Sequence, residues 1–363
     1  MRPLALRDSA TSFLRSAEPF PLESGLSLPS LTTAYRTWGR LSAAGDNAIL
    51  VCHALTGSAD VDRWWGGVLG AGRALDPERD FIVAANTLGS CYGTSGPTER
   101  RPGGGIWGPE FPEITIRDQV RAQAQLLAAL GVRRLALVVG GSLGGLQALE
   151  WPLLYPGRVE AIASLSASGR HSPWCIGLSA LQRRAIERDP KFRQGRYPAD
   201  DPPAEGLALA RGIAMATYRS PCSFAERFGR ARGDDGRFAV ESYLEHQGRK
   251  LVDRFDANSY LALTRAMDTH DLARGRGEYA EVLAGVEVPA LIVASHHDVL
   301  YPREEQLELA QLLPAAEFEE LASAHGHDAF LIDQATIDGL LGAFRRRVAA
   351  RAAGALVAAG GAA

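Results

Sequence analysis

The chain has 363 residues, 46% of them apolar and 22% charged, with a formal net charge of −3. That composition describes a globular protein able to bury a large core, not a disordered or fibrous one. The near-neutral balance supplies no overall basic field that would draw it to nucleic acid.

Along the chain, LTTAYRTWG (residues 31–39) reads as an antiparallel edge strand. Six apolar runs then follow: NAILVCHALTG (47–57), DFIVAANTLGS (80–90), RLALVVGGS (134–142), EAIASLSAS (160–168), PALIVASHHD (289–298) and AEFEELASAHGHD (316–328). Continuous runs of this length suit strands buried on both faces, as in a parallel sheet. Helical patterns lie between them. In TIRDQVRAQAQLLAALG, Ile116, Val120, Leu126, Leu127 and Leu130 recur at helical spacing, and Gly131 marks a stop. LGGLQALEWPLLYP follows the third run and REEQLELAQLLP the fifth. This alternation predicts an open α/β sheet with helices on both faces.

More than a hundred residues separate the fourth run from the fifth, far more than one crossover helix needs, and four stretches there read as helices. The expected organisation is a core of residues 1–170 and 289–350, a helical lid inserted at 171–288, and a low-complexity tail at 351–363 that frays. No internal repeat is visible.

Cys52, Cys91, Cys175 and Cys222 lie far apart with no C-x-x-C pair, so neither a zinc framework nor a redox pair is expected. The first twenty residues carry Asp8 and Glu18 and lack the apolar centre of a secretory signal. No apolar run reaches the roughly 18 residues of a membrane span. The expectation is a cytoplasmic protein with no membrane or nucleic-acid partner and no metal.

Four glycines surround one serine in Gly140-Gly141-Ser142-Leu143-Gly144-Gly145. The bare G-x-S-x-G pattern carries little weight; its place between a buried strand and a helix carries more, because a nucleophile elbow is built that way. A phosphate cradle would need G-x-x-x-x-G-K-[ST] or G-x-G-x-x-G, and no lysine lies nearby. Such a serine needs a base, and this architecture orders its partners Ser, then Asp or Glu, then His, after successive strands. Asp298 and His327 stand in those places, with His325 competing for the base and a helix cap competing for Asp298. A metal site from His296, His325, His327 and Asp328 matches no ligand spacing with a mechanism behind it. CHALTG offers the N–H of Leu55 as an oxyanion donor beside that of Leu143.

The stretches CHALTGSAD, NTLGSCYGTSGP, FPEITIRDQVRAQ, GGSLGGLQALEW, ALQRRAIERDP, MATYRSPCSF, RFDANSYLALTRAMD, HHDVLYP and GHDAFLID resemble the homoserine O-acetyltransferase family of methionine biosynthesis. The resemblance implies an α/β-hydrolase fold with a helical lid and a homodimer formed through lid helices. It implies ping-pong transfer of an acetyl group from acetyl-CoA, a co-substrate and not a resident cofactor, to the hydroxyl of homoserine. It assigns Ser142 as nucleophile, Asp298 as orienting acid and, through GHD, His327 over His325 as base. It further assigns Asp328 to the substrate ammonium, Arg211 to its carboxylate, and Tyr218 to the same pocket. Leu143 stands where the family often has methionine, Ser90 where glycine is usual, and TERRPGGGIWG is short; all three are expected near the acyl pocket. Succinyl-CoA as donor, serine as acceptor, and hydrolysis by the same triad are the alternatives. A non-catalytic binding protein is disfavoured by the complete Ser, Asp, His order.

Overall fold

The computed structural model describes residues 10–360. Its centre is a sheet of eight strands: Ser12–Ser16 (β1), Leu31–Trp38 (β2), Ala48–Cys52 (β3), Phe81–Ala85 (β4), Leu135–Gly141 (β5), Ile162–Leu165 (β6), Ala290–Ser295 (β7) and Ala316–Leu321 (β8). They lie in the order β1-β2-β4-β3-β5-β6-β7-β8. β1 and β2 are antiparallel, as are β2 and β4; every later pairing is parallel. Every residue of β3, β6 and β7 is buried, as continuous apolar runs require.

Two strands differ from expectation. β2 is not the edge: β1 covers it, Ser12 opposite Tyr35 and Ser16 opposite Leu31. SFLRS is short, polar and largely exposed, so it lacks the apolar run that marks the inner strands. β8 is the opposite edge, and its AEFEEL is half-exposed and not buried on both faces. Glu317 there holds Arg347 and Arg351 of the last helix, so charge blunts this edge.

Alternating side chains of each strand feed two cores. Leu50, Val138, Ile162 and Ile292 point to one face, under Ile116–Ala129 (α1), Leu143–Leu154 (α2) and Arg303–Leu312 (α8). Ile49, Val51, Val139, Leu291 and Val293 point to the other, where Ile337, Leu341 and Phe344 of Gln334–Gly360 (α9) meet Trp65. The tail expected to fray from residue 351 continues α9 through Gly360, because an alanine-rich run extends a helix already nucleated by packing. Residues 361–363 lie outside the described residues. Among those described, no helix is long and apolar enough to cross a membrane.

Between β6 and β7 the chain forms the lid helices Pro173–Glu187 (α3), Ala204–Tyr218 (α4), Pro221–Phe228 (α5), Ala239–Val252 (α6) and Ala257–Asp268 (α7). Ser172 and Ser220, each followed by proline, and Asp256 accept from the N–H of the third residue of their helices. The two ends of the lid are stitched together: the backbones of Arg170 and Asp271 pair as an antiparallel β-bridge, and the His171 N–H donates to the His270 carbonyl at 2.8 Å. The lid therefore closes at Asp271, not at 288. Beyond it, Leu272, Leu283 and Val286 join the core beneath the sheet. Those residues read as part of the insertion because a helix, Tyr279–Ala284, sits among them; tertiary packing, not local pattern, assigns it to the core.

The lid rests on the elbow. Phe255, Tyr260, Leu207 and Ala210 share one buried cluster with Leu55, Leu143 and Leu146.

Candidate active site

β5 ends and α2 begins at Ser142, whose φ of +55° is a left-handed value that non-glycine residues seldom adopt. The turn is held by the Ser142 N–H donating to the Leu165 carbonyl at 2.9 Å, and by the Ser142 carbonyl accepting from Gly145 and Leu146. The surrounding glycines answer to close approach. A β-carbon on Gly144 would sit 2.1 Å from the Cys52 carbonyl, and one on Gly141 would strike the Phe330 ring at 2.3 Å. Any side chain at either position would push the elbow off β3 or off Phe330.

His327 follows β8 and Asp298 follows β7. The His327 Nδ1–H faces Asp298 Oδ2 at 2.8 Å. The other carboxylate oxygen, Oδ1, accepts the N–H groups of Leu300 and Tyr301, both at 2.9 Å. Asp298 is thus locked by its own loop and offers a single oxygen to the imidazole. Three rings frame His327: Tyr301 stacked at 5.6 Å, Tyr218 tilted at 5.4 Å and Phe330 edge-on at 5.9 Å. Burial opposes the imidazolium and is the largest single effect on it. The charge and hydrogen bond of Asp298, with the charge of Asp328, together outweigh it and lift the pKa above its ordinary 6.5.

A cleft of about 280 Å³ opens on this apparatus, lined by Leu55, Ser142, Arg211, Tyr218, His327 and Asp328 among others. Asp298 stands behind His327. Among the described residues, the N–H groups of Leu55 and Leu143 find no acceptor, the latter being the first N–H of α2. Among the described residues Ser142 Oγ likewise finds no hydrogen-bond partner; bonds of this type often tighten only with substrate present. Arg211 lies over the face of Tyr218 at 5.3 Å. Asp328 is paired with Arg219, Nε to Oδ2, at 3.4 Å. Burial raises the Asp328 pKa, and Arg219, His327 and Arg211 pull against that.

His325 does not share this position: it lies outside the cleft, and His296 turns away to Glu320 at 2.7 Å. Among the described residues no three of His, Cys, Asp and Glu converge as a metal would need.

Residues 47–334 match the family model described as the alpha/beta hydrolase fold. The homoserine O-acetyltransferase of Trichormus variabilis is 56% identical over 340 residues, which span 93% of this chain and 94% of that protein. This chain belongs to the homoserine O-acetyltransferase family. It is accordingly an enzyme, an acyltransferase. The crystal structure of homoserine O-acetyltransferase from Bacillus anthracis shares the fold, with a TM-score of 0.85 at 24% identity over 93% of this chain and 98% of that one. So does the acetyl esterase MekB, with a TM-score of 0.82 at 27% identity over 93% and 96%. The fold thus carries both transfer and hydrolysis in its relatives.

The three departures from the usual acetyltransferase pattern do not line the cleft. The Leu143 side chain is fully buried in the cluster between lid and elbow, so leucine for methionine changes packing under the lid and not the lining of the Ser142 cleft. Ser90 is fully buried. Arg100 and Ile106 line a separate cavity of about 530 Å³.

Two residues of the site region went unremarked in the sequence. Arg219 lies beside Tyr218 in MATYRSPCSF, and Arg254 opens RFDANSYLALTRAMD. Arginine is so common in this chain that neither stands out, although Arg254 follows directly on an amphipathic helix.

Proposed function

We propose that this acyltransferase moves an acetyl group from acetyl-CoA to the hydroxyl of L-homoserine, through an acetyl-Ser142 intermediate, as a step of methionine biosynthesis. One observation carries the reading beyond the family: Ser142, the His327 that Asp298 orients, and the opposite charges of Arg211 and Asp328 open into the same small cleft. The serine suits acyl transfer, and the charges suit a zwitterionic amino acid.

His327 Nε2 takes the Ser142 proton as Oγ attacks the thioester carbonyl. The Leu55 and Leu143 N–H groups receive the oxyanion, the latter at the positive end of α2. The tetrahedral intermediate collapses, and the CoA thiol leaves with the proton from His327. Homoserine's hydroxyl then gives its proton to His327 and attacks the acetyl carbonyl, and serine is released. Arg211 binds the substrate carboxylate, Asp328 its ammonium, and Tyr218 forms the wall between them and His327. The Asp328–Arg219 contact is long enough to yield to an ammonium. Acetyl-CoA is a co-substrate, and the mechanism needs no resident cofactor. A cytoplasmic location accords with an acyl-CoA donor and with Cys52, Cys91, Cys175 and Cys222 as free thiols.

Purified protein offered acetyl-CoA and homoserine is expected to release CoA and to form a product one acetyl group heavier than homoserine. Parallel assays replace the donor by succinyl-CoA and the acceptor by serine or water. CoA release that ignores any amino acid would overturn transfer in favour of hydrolysis, the activity named for MekB.

A homodimer through lid helices accompanies this reading. Trp174 and Leu181 of α3 and Leu209 of α4 are more than half exposed, an unusual concentration of large apolar groups on the lid. Sedimentation is expected to show a dimer, and Leu181→Asp with Leu209→Asp a monomer. A monomeric native chain would refute it.

A further inference from the structure

We propose that Arg254 of the lid is a positioning residue for the oxyanion donor, acting on the Leu55 N–H through two peptide groups joined by a hydrogen bond. This inference rests on the acyl-Ser142 reading above.

The Arg254 guanidinium reaches down between α6 and α7. Its Nη1 donates to the Thr56 carbonyl and to the Tyr92 hydroxyl, both at 2.6 Å, and its Nη2 to Thr56 Oγ1 at 3.3 Å. The Thr56 carbonyl belongs to the same peptide group as the Gly57 N–H. That N–H donates to the Ala54 carbonyl at 2.8 Å. The Ala54 carbonyl, in turn, belongs to the same planar peptide as the Leu55 N–H. A positive charge therefore stands at the head of a chain of two peptide dipoles, and the chain ends at the N–H that faces the cleft. Hydrogen bonds in series polarise one another. The cation draws electron density from the Thr56–Gly57 peptide, makes the Gly57 N–H a better donor, and so strengthens the Leu55 N–H.

A second support enters at the Ala54 carbonyl. His53 Nε2 accepts the Thr87 N–H at 3.0 Å, which leaves the proton on Nδ1, and Nδ1–H donates to Ala54 O at 2.8 Å. Burial holds this imidazole neutral, its pKa pushed down to about 4. Core and lid thus grip the oxyanion loop from opposite ends, His53 from the sheet and Arg254 from above. Arg254 also lines both the Ser142 cleft and the larger cavity beside it. The charge that tunes the donor is therefore delivered by the lid.

The test reads acylation of Ser142 by p-nitrophenyl acetate, an uncharged donor that offers no carboxylate for Arg254 to bind. Arg254→Met is expected to lower kcat for acylation about 10- to 100-fold, less than the loss of a whole oxyanion donor, with KM changed by less than about threefold. Arg254→Lys keeps the charge but not the fork, and is expected to recover only part of the rate. Tyr92→Phe leaves the Thr56 carbonyl gripped and should stay within about fivefold of the native rate. Melting temperatures report whether each variant folds. If Arg254→Met does not fold, Arg254→Lys decides. A folded Arg254 variant that acylates at the native rate overturns the proposal. So does a raised KM for homoserine with acylation unchanged, because that marks direct substrate binding. A native chain that never acylates on Ser142 refutes the functional reading instead. A native chain that acylates but ignores homoserine refutes transfer and leaves the Arg254 test intact.

Discussion

Ser142→Ala is expected to cut CoA release at least about 10,000-fold and to leave no acetyl adduct on the protein in an intact-mass measurement. The expectation is specific to Oγ. Ser142 is 5% exposed, and its backbone, not its side chain, makes the bonds to Leu165, Gly145 and Leu146 that hold the elbow. Alanine carries the same strain at φ +55° as serine, so the variant should melt close to the native temperature. The residual rate would come from the oxyanion donors and from substrate binding, which the substitution leaves in place. An acetyl adduct on the folded alanine variant would remove Ser142 from the mechanism and would point to a different nucleophile.

Asp298→Asn is expected to lower kcat/KM about 10,000-fold, close to the loss of the serine itself, with little change in fold. The reason lies in the Asp298 loop. The N–H groups of Leu300 and Tyr301 both point at Oδ1, so an asparagine must place its carbonyl oxygen there. Its NH₂ then faces His327 Nδ1 and forces that nitrogen to act as acceptor. The proton moves to Nε2, and the imidazole can no longer take one from Ser142. The same substitution moves the pH profile. The base must be neutral to work, and in the native chain its pKa lies above 6.5, so activity should fall as pH drops through that raised value. Without the Asp298 charge and hydrogen bond, burial dominates and the acidic limb should shift downward. A profile of kcat/KM against pH measures both limbs. A native limb below 6.5, or a variant limb at the native position, would contradict this account.

Legibility of the site followed locality. Ser142, Asp298 and His327 could be proposed from the sequence because each stands just beyond the end of a strand with its own pattern, and their order along the chain is set by the architecture. Leu55 and Leu143 could be proposed as backbone donors for the same reason, since an N–H at a strand end or a helix start does not depend on side-chain partners. Arg254 could not. Its importance depends on where the end of α6 comes to rest, 198 residues beyond the threonine whose carbonyl it holds. Arg219 was hidden likewise, because its partner Asp328 lies on a different element.

The amino-acid sequence by itself determined the alternation of buried strands and helices, the helical stretch between the fourth and fifth apolar runs, the strand–Ser142–helix turn and the chain order Ser142, Asp298, His327. Apolar runs, helical spacing, capping residues and glycines act within a few positions of themselves, and these features are built from them. The tertiary structure alone decided which strands form the edges, that the lid closes at Asp271 and not at 288, and that Leu143 turns its side chain toward the lid. It also decided that a lid arginine, Arg254, holds the Thr56 carbonyl. Each of these depends on which surfaces meet across a hundred residues or more, and periodicity marks a buried face without naming what buries it.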